Sequence, residues 1–214
     1  MTLEMPGPGE VHVRVVSLEH STGELPMECL DEGEMDTFRR FRRETDAGRY
    51  LAAHEALRHI LASYLGIEPD AIRYVRGPHG KPYLEPAIHG GRLRFNLSHS
   101  GGIAAIAVTD GLDVGVDVEQ VRDMEFEELA SCAFSRDEQA ALGNNNIDSG
   151  VFFRLWTRKE AYLKATGLGL SVQPNEATIG EGWSIIDIDP APGYAGAVAV
   201  EGPIARVSVF RPPE

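Results

Sequence analysis

The sequence predicts an α+β fold made of two αβ halves that meet near Asp110, residues 1–110 and 111–214, joined in one compact monomer. Two observations predict it. A strand-like segment, a strong helix and short strands come first in the chain, and a hairpin-like pair, helices and further strands follow. The two long helical patterns, about 46–65 and 151–166, are each stopped by a glycine, Gly66 and Gly167. No residue-level repeat relates the halves, so any duplication must be one of architecture.

The elements follow in order. Val11, Val13 and Val15 alternate against His12 and Arg14, which predicts a strand over 11–16. Acidic, glycine-containing sequence continues to Asp36. Tyr50, Ala53, His54, Leu57, Ile60, Leu61 and Tyr64 then recur at helical spacing, with His54 expected as a packed core histidine. Short strands at 72–75 and 82–84 flank the turn Gly77-Pro78-His79-Gly80. Residues 103–108 are apolar and 112–119 alternate, with Asp110-Gly111 between them, a pattern that predicts a hairpin. Helices are expected at about 126–130 and 136–142, and Asn144-Asn145-Asn146 reads as a polar loop. The tail, 183–209, alternates in short segments and reads as strands.

Composition narrows the function. A net charge of −13 argues against nucleic acid as the main partner, because phosphate repulsion would oppose binding. No apolar run approaches the roughly 20 residues that span a bilayer, and the N-terminus lacks the apolar core of a signal peptide. Cys29 and Cys132 match neither a zinc site nor a disulfide framework, as expected of reduced thiols in a cytoplasmic protein. Arg39, Arg40, Arg42, Arg43 and Arg49 form a basic cluster that reads as a solvated helix face. Only Lys81, Lys159 and Lys164 are lysines among twenty basic residues. Lysine is a compact point charge suited to a phosphate oxygen in a crowded site.

Those lysines accompany an acidic set. In Val114-Gly115-Val116-Asp117-Val118-Glu119 the valines take one strand face and the two carboxylates the other, with Cα atoms roughly 6.5 Å apart. Two carboxylates on one face can share a divalent ion. A two-residue turn at Asp110-Gly111 would set Gly102 opposite Glu119 and bring Ser98-His99-Ser100 to the same end. Glu160 and Lys164, four apart, share one edge of the helical stripe of Phe152, Leu155, Trp156 and Leu163. Glu160 is thereby a candidate third ligand or general base.

Phe95-Asn96-Leu97-Ser98-His99-Ser100, Gly115-Val116-Asp117-Val118-Glu119 and Trp156-Thr157-Arg158-Lys159-Glu160-Ala161-Tyr162-Leu163-Lys164 resemble the successive signatures of the Sfp-type 4′-phosphopantetheinyl transferases. Gly80-Lys81-Pro82, Phe134-Ser135 with Glu138, and Arg39-Arg40-Phe41 followed by Asp46 and Arg49 add to the likeness, which spans 39–170 in the family's order. The resemblance implies two pseudo-twofold halves with coenzyme A in the cleft between them. It implies Mg²⁺ held by Asp117, Glu119 and Glu160, with Glu160 and Lys164 the catalytic pair. Ser98 and His99 would contact phosphates or nucleotide, Arg49 and Lys81 the 3′-phosphoadenosine end, Pro82 would join the coenzyme A-binding set, and Lys159 and Lys164 would neutralise phosphate charge. Glu32, Glu34 and Thr37 depart from relatives that carry lysines in this stretch.

The implied reaction moves the phosphopantetheine arm of coenzyme A to a serine of an apo acyl or peptidyl carrier protein, releasing 3′,5′-ADP. Alternatives are a Mg²⁺-dependent pyrophosphohydrolase of coenzyme A or a nucleotide, and a non-catalytic coenzyme A-binding module. An acidic protein meeting an acidic carrier is expected to dock through an apolar patch within 124–134, at Met124, Phe126 and Leu129.

Overall fold

The computed structural model describes residues 2–19, 29–143 and 147–212. The loop expected at Asn144-Asn145-Asn146 lies outside them. Nine strands and six α-helices occur among the described residues. The first half runs β1 (Glu10–Ser17), α1 (Glu32–Phe38), α2 (Glu44–Leu65), β2 (Tyr74–Arg76), β3 (Pro82–Leu84), α3 (Pro86–His89), β4 (Leu93–Ser100) and β5 (Ile103–Asp110). The second runs β6 (Val114–Gln120), α4 (Glu127–Ala133), α5 (Arg136–Leu142), α6 (Ser149–Thr166), β7 (Trp183–Ile188), β8 (Tyr194–Glu201) and β9 (Arg206–Phe210).

Two larger sheets form, in the orders β4-β5-β1-β9 and β6-β8-β7, with β2-β3 a separate ribbon. They share one core. Val11, Val13, Val15, Ala105 and Ala107 of the first sheet pack with Val114, Val116, Val118, Val198 and Val200 of the second. Each outer face carries a long helix. Leu57 and Leu61 of α2 bury Phe95, Ile106 and Val108, while Ala161 and Ala165 of α6 meet Ala197 and Ala199. Helix, sheet, sheet, helix is thus the layer order, and the two halves are alike in architecture. The strand β9 runs parallel to β1 and completes the first sheet from the far end of the chain.

The expected hairpin at Asp110-Gly111 does not form. β5 pairs with β4 and β1, β6 pairs with β8, and the hairpin turn is instead Gly101-Gly102, with Ser100 opposite Ile103. Gly101 supplies the positive φ of 55° that this turn requires. Residues 111–113 carry the chain from the first sheet to the second, and Gly111 N–H donates to the Arg92 carbonyl at 2.6 Å.

The helix α1 lies in sequence that showed no helical apolar stripe. Its start is fixed by a capping box between Asp31 and Glu34. Its buried residue is Glu34, 5% exposed, held by the fully buried Arg58. A face that buries an ion pair leaves no hydrophobic signal. His54 also meets Glu34, at 2.8 Å, and packs against Tyr50. No helix among the described residues is long and apolar enough to cross a membrane.

The apolar side chains expected to offer a docking patch are mostly interior. Phe126 is buried against Phe152 and Phe153, and Leu129 packs on the same cluster; only Met124 of the three is exposed.

Candidate active site

The site forms where the free edges of the two sheets run side by side. β6 ends its sheet and β4 ends the other, so the outward N–H groups of β6 need partners. Side chains of β4 supply them. Asn96 Oδ1 accepts from Val116 N at 2.9 Å, Ser98 Oγ from Val118 N at 3.4 Å and Ser100 Oγ from Gln120 N at 3.2 Å. The period of two in Asn96, Ser98 and Ser100 is the register of this side-chain ladder.

The same hydroxyls reach the carboxylates. Ser98 Oγ donates to Asp117 Oδ1 at 2.8 Å, and Ser100 Oγ donates to Glu119 Oε2 at 2.6 Å. Ser-His-Ser and the acidic pair therefore meet as expected, but through direct β4–β6 proximity rather than through a β5–β6 hairpin.

The helix α6 closes the site from above. With Val116 and Val118 in the shared core, Gly115 and Asp117 face α6. A Cβ at Gly115 would stand 2.0 Å from the Ala161 carbonyl oxygen and 2.4 Å from Ala165 N, so only glycine lets the helix lie this close. That approach brings Lys164 Nζ to 2.6 Å from Asp117 Oδ1 and 2.8 Å from Ser98 Oγ. Burial raises the Glu160 pKa, and the neighbouring Asp117 charge raises it further. Burial also raises Glu119, against the Ser100 hydrogen bond.

Three carboxylates thus share one nearby lysine. Asp117 is 3% exposed, and its Oδ2 is buried without a hydrogen-bond partner. A buried acceptor-only oxygen facing two further carboxylates, both held by burial toward the neutral form, suits a hard cation. Among the described residues no three such side chains are already drawn together tightly enough to hold an ion. Asp117 Oδ1 and Glu119 Oε2 are instead engaged by Lys164 and the serines.

Recesses open on either side of β4. Arg49 and His99 line one of about 230 Å³ with Phe41, Asp46, Ser100 and Gly101. The His99 pKa is lowered, first by desolvation and then by the positive neighbourhood of His54, Lys164 and Arg49, so the ring is neutral at neutral pH. Lys81, Pro82, Asn96, Leu97 and Lys164 contribute to a second recess of about 230 Å³. Pro82, Asn96 and Leu97 also border a larger cavity of about 430 Å³ with Thr37, Tyr50, His54 and Arg76.

Two of the lysines are placed differently from expectation. Lys81 Nζ is buried and donates to the Val114 carbonyl at 3.1 Å and the Ala165 carbonyl at 2.7 Å, bridging the halves; burial lowers its pKa to about 8. Lys159 points away from Lys164, as residues five apart on a helix lie roughly 140° apart around its axis. Its ammonium is buried against Glu138 Oε2 at 2.5 Å and the Ala133 carbonyl at 3.2 Å, where it ties α6 to α5.

Sequence reasoning did not single out Asn96 or Tyr194. The Tyr194 hydroxyl accepts from Gly102 N at 3.0 Å and so holds the β4–β5 turn against β8. The alternation of Asn96 with Ser98 and Ser100 was a usable signal; nothing local marks Tyr194.

Two opposed αβ layers thus carry a carboxylate–lysine cluster at their seam. Comparison with known proteins makes this specific. The profile of the 4′-phosphopantetheinyl transferase superfamily matches residues 113–205, and that of the 4′-phosphopantetheinyl transferase N-terminal region matches 20–110. The chain is 32% identical over 209 residues to the 4′-phosphopantetheinyl transferase HetI of Nostoc, covering 90% of this chain and 88% of HetI. It is 29% identical over 159 residues to the 4′-phosphopantetheinyl transferase Sfp of Bacillus subtilis, covering 72% and 68%. With AcpT of Escherichia coli it shares 34% over 144 residues, covering 66% and 63%. The chain belongs to the 4′-phosphopantetheinyl transferase superfamily and to that class of transferases.

Proposed function

We propose that the protein transfers the 4′-phosphopantetheine arm of coenzyme A to a serine of an apo carrier protein and releases 3′,5′-ADP. The observation that carries this reading is the joint Ser98–Asp117–Lys164 contact, with Asp117 Oδ2 left buried and unpartnered. It concentrates negative charge, one movable cation and an open acceptor at a cleft between halves. That arrangement suits a pyrophosphate whose charge must be balanced while one P–O bond breaks.

Asp117, Glu119 and Glu160 would hold Mg²⁺, which when bound supplies charge neutralisation at the pyrophosphate oxygens. The carrier serine Oγ forms a bond to the β-phosphorus, and the bond from that phosphorus to the oxygen of 3′,5′-ADP breaks. Glu160 accepts the serine proton as general base. Lys164 offers its ammonium to the charge that develops on the leaving oxygen. Arg49 and His99 line the recess that would take part of the nucleotide. Lys81 acts by fixing the two halves relative to each other.

The test is incubation with coenzyme A, Mg²⁺ and an apo acyl carrier protein, followed by intact-mass spectrometry of the carrier and chromatography of nucleotides. The carrier should gain the mass of one phosphopantetheine arm, with 3′,5′-ADP in equal amount. Release of 3′,5′-ADP without any carrier would identify a pyrophosphohydrolase instead.

A further inference from the structure

Of the basic cluster in the sequence only Arg49 sits on a helix, α2; the other four arginines do not. Arg39, Arg40, Phe41, Arg42 and Arg43 form the exposed turn between α1 and α2. Arg39 pairs with Asp36, both well exposed, while the side chains of Arg40, Arg42 and Arg43 make no hydrogen bond or ion pair among the described residues. A chain with 33 acidic against 20 basic residues has spare carboxylates for every arginine, yet leaves these three unpaired.

The turn is also fixed in place at the site. Phe41 packs on Tyr50 with ring centres 5.2 Å apart and lines the recess that holds Arg49, His99 and Ser100. The arginines on either side of it do not line that recess; they stand outside its rim, facing solvent. The chain leaves β6 at Gln120, the end that meets Ser100 and Gly101, and in the segment that follows Asp123, Glu125, Glu127 and Glu128 are all exposed. The site thus has an arginine-rich flank and an acidic one.

We propose that the arginine turn between α1 and α2 is the docking surface for an acidic face of the protein that presents the acceptor serine. The proposal rests on the transferase reading. An acidic partner is repelled by most of this −13 surface and by the 123–128 flank, and attracted at this turn.

The experiment compares wild type with the triple variant Arg40→Glu, Arg42→Glu, Arg43→Glu. KM for an apo acyl carrier protein of net negative charge and KM for coenzyme A are measured at 50 and 200 mM NaCl, with free Mg²⁺ constant. Circular dichroism and Tm check folding, and the triple Arg→Gln variant serves if reversal disturbs it. Carrier KM should rise about tenfold or more at low salt in the reversed variant, and by less at high salt, with kcat and the coenzyme A KM within about twofold. The Gln variant should fall between. An unchanged carrier KM overturns the proposal, and so does a rise in the coenzyme A KM of equal size. A wild type that modifies no carrier removes the transferase reading, and the proposal with it; an active wild type with an unaltered variant removes the proposal alone.

Discussion

Ser98 Oγ donates to Asp117 Oδ1 at 2.8 Å although the two residues lie on strands of different sheets. The serine therefore belongs to the machinery that holds the carboxylate, as well as lying beside the cleft. Ser98→Ala removes one donor to Asp117 and one acceptor for Val118 N. We predict a loss of about 1–2 kcal/mol in stability and a fall in kcat larger than the change in the coenzyme A KM. Steady-state kinetics check this; a raised KM with unchanged kcat would make Ser98 a substrate-binding group.

Gly115 and Gly48 should respond oppositely to alanine. At Gly115 the new methyl would strike the α6 backbone, so α6 must lift from β6 and Lys164 must leave Asp117. Gly115→Ala should cost about 3 kcal/mol or more and abolish transfer. Gly48, inside α2, has nothing within 4 Å of its missing Cβ, and Gly48→Ala should stabilise by about 0.5–1 kcal/mol. Urea denaturation of both variants measures the contrast.

Lys81 gives a pH signature. Its folded pKa of about 8 lies below the ordinary 10.5, so between these values the unfolded chain binds more protons than the folded one. Stability from this group therefore rises with pH across that window. Wild type should gain about 1–3 kcal/mol relative to Lys81→Met between pH 7 and pH 10. A difference that stays constant with pH would mean that the Val114 and Ala165 carbonyls hold the ammonium without a desolvation cost.

The clustered carboxylates should trade stability for function. The Glu160 pKa is raised by burial and Asp117, so its ionisation costs stability that is lost as pH rises from the ordinary value of 4.5 through the raised folded value and stays lost above it. Glu160→Gln should raise Tm by about 2–4 °C at pH 7 and by less near pH 4, while transfer is lost. Millimolar Mg²⁺ should raise Tm in wild type and less in the variant. Equal shifts in both would place the cation elsewhere.

Much of this was legible in the sequence, for reasons that mark where legibility ends. The helices α2 and α6, the strand β1 and the carboxylate face of β6 follow from period and glycine stops. The hairpin was misplaced because Asp110-Gly111 and Gly101-Gly102 both carry turn chemistry, and local propensity does not show which strand pairs with which. The helix α1 was missed because its buried residue is the ion-paired Glu34. Lys159 shares a motif with Lys164 but faces another part of the fold, a distinction that helical geometry makes and motif matching does not.

The central claim is that the Asp117 cluster drives transfer to a carrier. Wild type and Asp117→Asn should be incubated at saturating coenzyme A with Mg²⁺ and apo acyl carrier protein, and the carrier followed by intact mass. The account predicts full conversion by wild type, none by wild type in excess EDTA, and a loss of about a thousandfold or more in the rate of a folded Asp117→Asn. Conversion by Asp117→Asn at near the wild-type rate would contradict it.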